Sequence, residues 1–275
     1  MRSEPVDSVT AVKKMTTSER VDVLINGGSS AGNGAALPLA ERAKTPMMVC
    51  STLPPDKATH KWAFSMLAAP SAEVEPRIAY LQKANFKKIG LLYDPTPYAG
   101  LQKTAAEQMA EKSGLTVVGV EKYQQNDADM TAYFTKLTAA GAEAVVKMGS
   151  GPSSIASAKA LKQLALKAPL LSSAEDLVVL REAGSVLGKQ FFFVATPAQL
   201  FESLAADSVE RKSVAQFMSL WRAQHGDREF QRPSHAQPDS RLRSDSLSPQ
   251  IPRQLIRSPV QLPVAQLVLF PFFPH

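Results

Sequence analysis

The feature that most constrains this chain is a repeated order: a short apolar run, a turn of small polar residues, then a helical stretch. The clearest instance is Val21–Thr52, VDVLINGGSSAGNGAALPLAERAKTPMMVCST. It contains a strand, a Gly/Ser turn, a helix, a second strand and a second polar turn. Strands alternating with helices of roughly 10–15 residues specify βαβ units and parallel sheet. Two small-residue turns on adjacent parallel strands offer backbone N–H groups and hydroxyls at one end of the sheet.

The same order continues through the body. Strands are expected at Val21–Asn26, Pro46–Cys50, Lys88–Tyr93, Leu115–Tyr123, Ala144–Met148, Pro169–Leu171 and Phe191–Ala195. Helices are expected at Ala31–Ala43, kinked by or starting near Pro38, and at Ala72–Ala84, Gly100–Ser113, Met130–Ala140, Ser153–Leu166 and Val209–His225. Gly114 and Gly141 follow two of these helices, as left-handed caps do. There are too many units for one small sheet, and Leu53–Pro70 carries proline without a βαβ pattern. The expected architecture is α/β: two doubly wound parallel-sheet lobes with a ligand cleft between them. The segments are 1–66 in a first lobe, 67–196 in a second, 197–226 returning to the first, and a tail of 227–275.

With 275 residues and 44% hydrophobic content, the chain has material for a sizeable core. Its net charge of +6 comes from scattered residues. No basic stripe is interleaved with aromatics, which argues against nucleic acid as a partner. The single cysteine, Cys50, forbids an internal disulfide. No apolar run approaches the roughly 20 residues of a bilayer span. The polar start, MRSEPVDSVTAV, has no signal-peptide character, so the chain taken literally stays in the cytoplasm.

From Asp227 onward the texture changes. The tail has no glycine and no lysine, yet six arginines and eight of the 20 prolines. Proline at 233, 238, 249, 252, 259 and 263 interrupts any helix. The expectation is a disordered or non-native tail. Its Arg/Ser/Pro/Gln/His richness is what a GC-rich gene yields when read out of frame; a genuine low-complexity linker is the alternative.

Ligands of open parallel sheets bind beyond the carboxyl ends of the strands. Gly27, Gly28, Ser29 and Ser30 follow the first strand and open a helix, where an anion is favoured. Ser29 or Ser30 serves equally well as a helix N-cap. Cys50, Ser51 and Thr52 follow the next strand, with Cys50 read as a small apolar residue rather than a nucleophile. Tyr98 opens a helix after Lys88–Tyr93 and either closes over a ligand or lies in a surface turn. Glu175 and Asp176 follow Pro169–Leu171 and either meet an ammonium group or charge the first turn of a helix. His60, His225, His235 and His275 lie far apart. No catalytic, metal-binding or phosphate-loop motif occurs. No enzyme, no metal and no cofactor is expected.

The order of these pieces resembles the periplasmic leucine/isoleucine/valine-type solute-binding proteins of ABC transporters, which have the type I periplasmic binding fold. The pieces are AVKKMTTSERVDVLING, GGSSAGNGAALPLAERAKTPMMVCST, KKIGLLYDPTPYAGLQKTAAEQMAEKSGLTVVG, DMTAYFTKLTAAGAEAVVKMG and SVAQFMSLWRAQHG. The resemblance implies capture of an amino acid or similar small carboxylated compound by lobe closure, delivery to ABC permease subunits, and a periplasmic setting. It places Ser29 and Ser30 on the ligand carboxylate with Cys50, Ser51 and Thr52 beside them. Tyr98 would be the second-lobe aromatic and Glu175 would lie near the ammonium. It also implies a chain truncated at its N-terminus, with an incomplete first lobe, and frameshifted near Gly226. The alternative is the ligand-sensing domain of an amide or amino-acid regulator.

Overall fold

The structure, a computed structural model, describes residues 5–27, 29–51, 53, 55–195, 201, 204–226 and 268–271. Two parallel sheets divide the chain. The first consists of β1 (Leu24–Asn26), β2 (Met47–Val49) and β3 (Ala63–Ser65), paired in that order. The second contains β4 (Lys88–Tyr93), β5 (Thr116–Lys122), β6 (Ala144–Met148), β7 (Leu170–Ala174), β8 (Phe191–Ala195) and β9 (Val268–Pro271). Their spatial order is β5-β4-β6-β7-β8-β9, and only β9 runs antiparallel.

The second sheet is apolar on both faces because both are covered. Helices α3 (Ser71–Lys83) and α4 (Pro97–Lys112) lie on one side. Against them pack Ile89, Leu91, Val146, Leu171 and Phe192, with Val74, Ile78, Leu81 and Ala106 from the helices. Helices α5 (Thr131–Ala139), α6 (Pro152–Gln163) and α7 (Leu177–Leu187) cover the other side. Leu92, Val145, Leu170 and Phe191 join Phe134, Leu137, Leu161 and Leu180 there. Successive residues of each strand thus feed opposite cores, as the period of two requires. Continuous apolar runs such as those in β4 and β6 are what doubly covered parallel strands need. Gly119, a break in the alternation of β5, has a packing reason: a Cβ there would lie 2.9 Å from Leu137 Cδ2.

The first sheet is built differently. Helices α1 (Pro5–Thr17) and α2 (Ser30–Ala43) cover one face, where Leu24, Met47, Val49 and Ala63 meet Val12, Ala36, Leu37 and Ala40. On the other face Ile25 is 69% exposed and Phe64 51% exposed, with half-buried Met48 between them in register. Helix α2 continues without a break past Pro38, which sits on its exposed side. Water can there replace the hydrogen bond that proline removes.

Several elements depart from the sequence expectations. Helix α1 carries scattered apolar residues and shows no clear periodicity. Strand β3 is three residues inside the proline-containing stretch expected to be loop. Helix α4 begins at Pro97, not Gly100: Thr96 Oγ1 accepts from the Ala99 N–H at 3.2 Å, and proline at the first helical position needs no donor. Strand β7 continues past Leu171 to Ala174. The helix expected at Val209–His225 is α8 (Val209–His225), with the same bounds, and none of its side chains is buried. Of the tail expected to be disordered, residues 227–267 and 272–275 lie outside the described residues, while β9 pairs with β8 from Phe192 to Ala195. No helix among the described residues is long and apolar enough to cross a membrane.

Candidate functional site

The strand ends of the first sheet bring the first-lobe candidates together. The Cys50 N–H donates to the Asn26 carbonyl at 2.9 Å, so the turn after β2 lies against the turn after β1. Ser29 is the N-cap of α2, its Oγ accepting from the Gly32 N–H at 3.1 Å. Asn33, fully buried, donates from Nδ2 to the Ser29 carbonyl at 3.0 Å and fixes the turn from below. Ser30 and Ser51 are buried, and Ser51 Oγ accepts from the Leu53 N–H at 3.4 Å. Cys50 is half-buried. Thr52 lies outside the described residues. The local sequence explains this arrangement: small residues let the two turns approach, and the N-terminus of α2 carries a positive partial charge.

The second sheet has its topological switch point between β4 and β6, since β5 flanks β4 on one side and β6 on the other. Crevices for ligands open at such points. Near these strand ends lies a buried polar network. Helix α3 contributes Glu73 and Arg77, one turn apart. Glu73 Oε2 accepts from the Tyr98 hydroxyl at 2.7 Å, the Ala174 N–H at 2.9 Å and Gln102 Nε2 at 3.2 Å. Arg77 Nη1 donates to the Lys147 carbonyl at 2.9 Å and to Ser173 Oγ at 3.4 Å. Its Nη2 has no hydrogen-bond partner among the described residues. Glu175 accepts from the Gly151 N–H at 2.8 Å, from Ser172 Oγ at 2.8 Å, and from Ser154 Oγ.

Asp94, just after β4, accepts on Oδ1 from the Thr96 N–H at 2.9 Å and the Thr96 hydroxyl at 2.5 Å. Beside it Gly149 has φ of 92°, and a Cβ there would fall 2.1 Å from Asp94 Oδ2 and 2.7 Å from the Tyr123 hydroxyl. The Lys147 ammonium donates to the Gly149 carbonyl at 3.1 Å and lies 5.0 Å from the centroid of the Tyr123 ring.

Burial governs the acid–base character of this network. It pushes the Tyr98 hydroxyl well above the ordinary phenol range, reinforced by the Glu73 carboxylate. It brings the Lys147 ammonium down to about 8, against the opposing pull of Glu175 and Asp94. It raises Glu175, which Lys147 and the three donors pull back toward the ionised form. It also lowers Arg77, opposed first by Glu73.

A family profile described as periplasmic binding protein matches residues 2–236. The chain belongs to the periplasmic binding protein family. No curated protein matches the sequence. Solved structures of the same fold do. An extracellular ligand-binding receptor from Rhodopseudomonas palustris HaA2 aligns with a TM-score of 0.74 at 19% identity, over 83% of this chain and 64% of that one. A leucine-binding protein from Thermotoga maritima aligns with a TM-score of 0.65 at 17% identity, over 82% and 63%. A branched-chain amino acid ABC transporter protein from Thermus thermophilus, with bound valine, aligns with a TM-score of 0.60 at 18% identity, over 73% and 56%. The chain spans less than two thirds of the length of each of these. The shared feature is the fold: α/β with parallel sheets and helices between the strands.

Within this periplasmic binding protein, Ser29, Ser30, Cys50 and Ser51 gather at one pair of strand ends. Tyr98 and Glu175 gather at another, where both are buried and hydrogen-bonded into their own lobe. Glu73, Arg77, Asp94, Gln102 and Lys147 were missed by the sequence reading. Two signals point to three of them. Lys147 interrupts the otherwise apolar strand AVVKM, and Glu73 and Arg77 share a helix face with Val74, Ile78 and Leu81.

Proposed function

We propose that this chain is the substrate-binding component of an ABC-type importer, taking an amino acid or similar small carboxylated compound by closure of two lobes. The observation that carries the reading is the meeting of two polar turns after adjacent parallel strands: Ser29 and Ser30 at the start of α2, and Cys50 and Ser51 beside the end of β1. In this reading Ser29 and Ser30 bind the ligand carboxylate, aided by Ser51, Thr52 and the backbone of Cys50. A carboxylate there gains roughly 0.3–1 kcal/mol from the helix end alone. Tyr98 and Glu175 present the second-lobe wall. Closure by hinge bending then sequesters the ligand. Delivery goes to a membrane permease, and the setting is the periplasm. The bound-valine structure and the leucine-binding protein support a carboxylated ligand by kinship of fold. No chemical step on the ligand is assigned.

The test is thermal-shift and calorimetric screening of the chain against amino acids, amides and carboxylic acids, repeated with Ser30→Ala and Ser51→Ala. Carboxylated compounds should raise the melting temperature, and each variant should weaken binding by roughly tenfold, the value of about one charge-assisted hydrogen bond. A panel without any stabilising carboxylate removes the reading, and retained affinity in both variants removes the site.

A further inference from the structure

Three carboxylates lie at the strand ends of the second sheet, and they differ in how their oxygens are occupied. Glu175 is held on both: Oε1 accepts from the hydroxyls of Ser154 and Ser172, and Oε2 from the Gly151 N–H at 2.8 Å. Asp94 accepts from Thr96 on Oδ1 and from Gln125 Nε2 on Oδ2 at 3.5 Å, with Gly149 packed against it. Glu73 is lopsided. Its Oε2 takes three donors, the Tyr98 hydroxyl, the Ala174 N–H and Gln102 Nε2, while Oε1 takes none among the described residues. The residue is 8% exposed.

The donors on Oε2 hold the carboxylate in one orientation. Tyr98 opens α4 beyond β4, Gln102 lies one turn further along α4, and Ala174 ends β7. Gln102 is itself fully buried and oriented: Ser173 Oγ donates to its Oε1 at 2.7 Å, which turns Nε2 toward Glu73. One turn along α3, Arg77 Nε donates to the Glu73 carbonyl at 2.9 Å and fixes the backbone there. The carboxylate thus sits past the carboxyl ends of β4 and β7, which flank β6. Ligands of open parallel sheets bind beyond such strand ends. A largely buried carboxylate oxygen without a donor is costly. Turning it toward a donor inside the lobe would break the three bonds on Oε2.

We propose that Glu73 is a ligand-contacting residue of the second lobe, its Oε1 accepting from an N–H or O–H group of the bound compound when the lobes close. The proposal rests on the two-lobe carboxylate reading and adds a contact to it. The first-lobe turns take the carboxylate, and Glu73 takes a donor carried beside it. In the open cleft water serves Oε1. In the closed cleft an ammonium or hydroxyl group of the ligand replaces that water in a charge-assisted hydrogen bond. Tyr98 and Gln102 act through Glu73 as positioning residues.

Two matched sets test it: L-leucine, 2-hydroxy-4-methylpentanoate and 4-methylpentanoate; and L-phenylalanine, 3-phenyllactate and 3-phenylpropanoate. Each compound is titrated calorimetrically at pH 7 into the full chain and into its Glu73→Gln and Glu73→Asp variants. Within a set the carboxylate and side chain are shared, and only the ammonium or hydroxyl donor changes. Glu73→Gln keeps an oxygen for the donors on Oε2 and puts an amide NH2 in place of Oε1. Glu73→Asp keeps the charge but withdraws it by one methylene, and serves if the glutamine variant does not fold. At least one donor-bearing compound should lose about tenfold or more in affinity, falling to the level of its donor-less acid, which itself changes by less than about twofold. A loss shared equally by all members of a set is what a purely structural Glu73 gives, and it overturns the proposal. No loss at all, or the failure of both variants to fold, overturns it too. A parent chain that binds only donor-less carboxylates also overturns it and leaves the carboxylate reading standing. One that binds no carboxylate removes both.

Discussion

The two sheets are assembled from the same strand–turn–helix unit, yet they hold their polar groups in opposite ways. In the six-stranded sheet both faces are covered, and the charged groups at its strand ends are buried and bonded to one another. In the three-stranded sheet one face is covered, and the strand ends carry small hydroxyl residues and a helix N-terminus with no acid nearby. A lobe with two cores can bury Glu73, Arg77, Lys147 and Glu175 because enough surrounding structure fixes their partners. A lobe with one core presents its polar groups singly. The difference is between polar groups bonded across a lobe and polar groups bonded within their own turns.

Removing the arginine from the second-lobe network should have the largest effect. Arg77→Ala deletes the bonds to the Lys147 carbonyl and Ser173 and leaves Glu73 without its buried counter-charge. A loss of about 3–5 kcal/mol is expected in urea denaturation. A loss below about 1 kcal/mol would mean that the network is not a structural unit.

The next effect depends on pH. Lys147 has a folded-state value of about 8 against an ordinary 10.5. Below about pH 8 both folded and unfolded chains hold its proton, and the folded state bears the cost of a buried charge. Between about pH 8 and 10.5 the unfolded chain holds more protons, so this contribution raises stability with pH. Lys147→Met should remove that rise, seen as a flatter melting-temperature profile from pH 8 to 10.5 than in the parent. A parent profile with no such component would place the ammonium in contact with water.

The smallest effect belongs to the first lobe. Ile25→Lys replaces a residue that is 69% exposed on the uncovered sheet face. Its cost should stay within about 0.5 kcal/mol, as for ordinary surface positions. A cost several times larger would show that this face is covered in solution, and the contrast between the sheets would disappear.

The second sheet was legible in the sequence because doubly covered strands are continuous apolar runs bounded by glycine and polar turns. KIGLLY, AVVKM and FFFVA read directly as strands. Strand β3 was not legible: Ala63–Ser65 gains its status only from pairing with β2, across a stretch that looks like loop. The first-lobe turns were visible because each is a local feature next to its strand. The buried network was not, since it is tied together by bonds between distant residues, as between Arg77 and Lys147, 70 positions apart, and Glu73 and Ala174, 101 apart. Nothing local in SSAEDL tells whether Glu175 points outward to a ligand or inward to Ser154. That is decided by the helix and turn around Gly151.

Gly149 carries one consequence beyond this molecule. With φ of 92° and no room for even one carbon beside Asp94 and the Tyr123 hydroxyl, the position tolerates a single residue type while Asp94 stays where it is. The position therefore works as a marker for sorting relatives by sequence. One that carries a side chain at the equivalent of 149 has had to rearrange the end of its fourth strand, and it does not share this second-lobe wall.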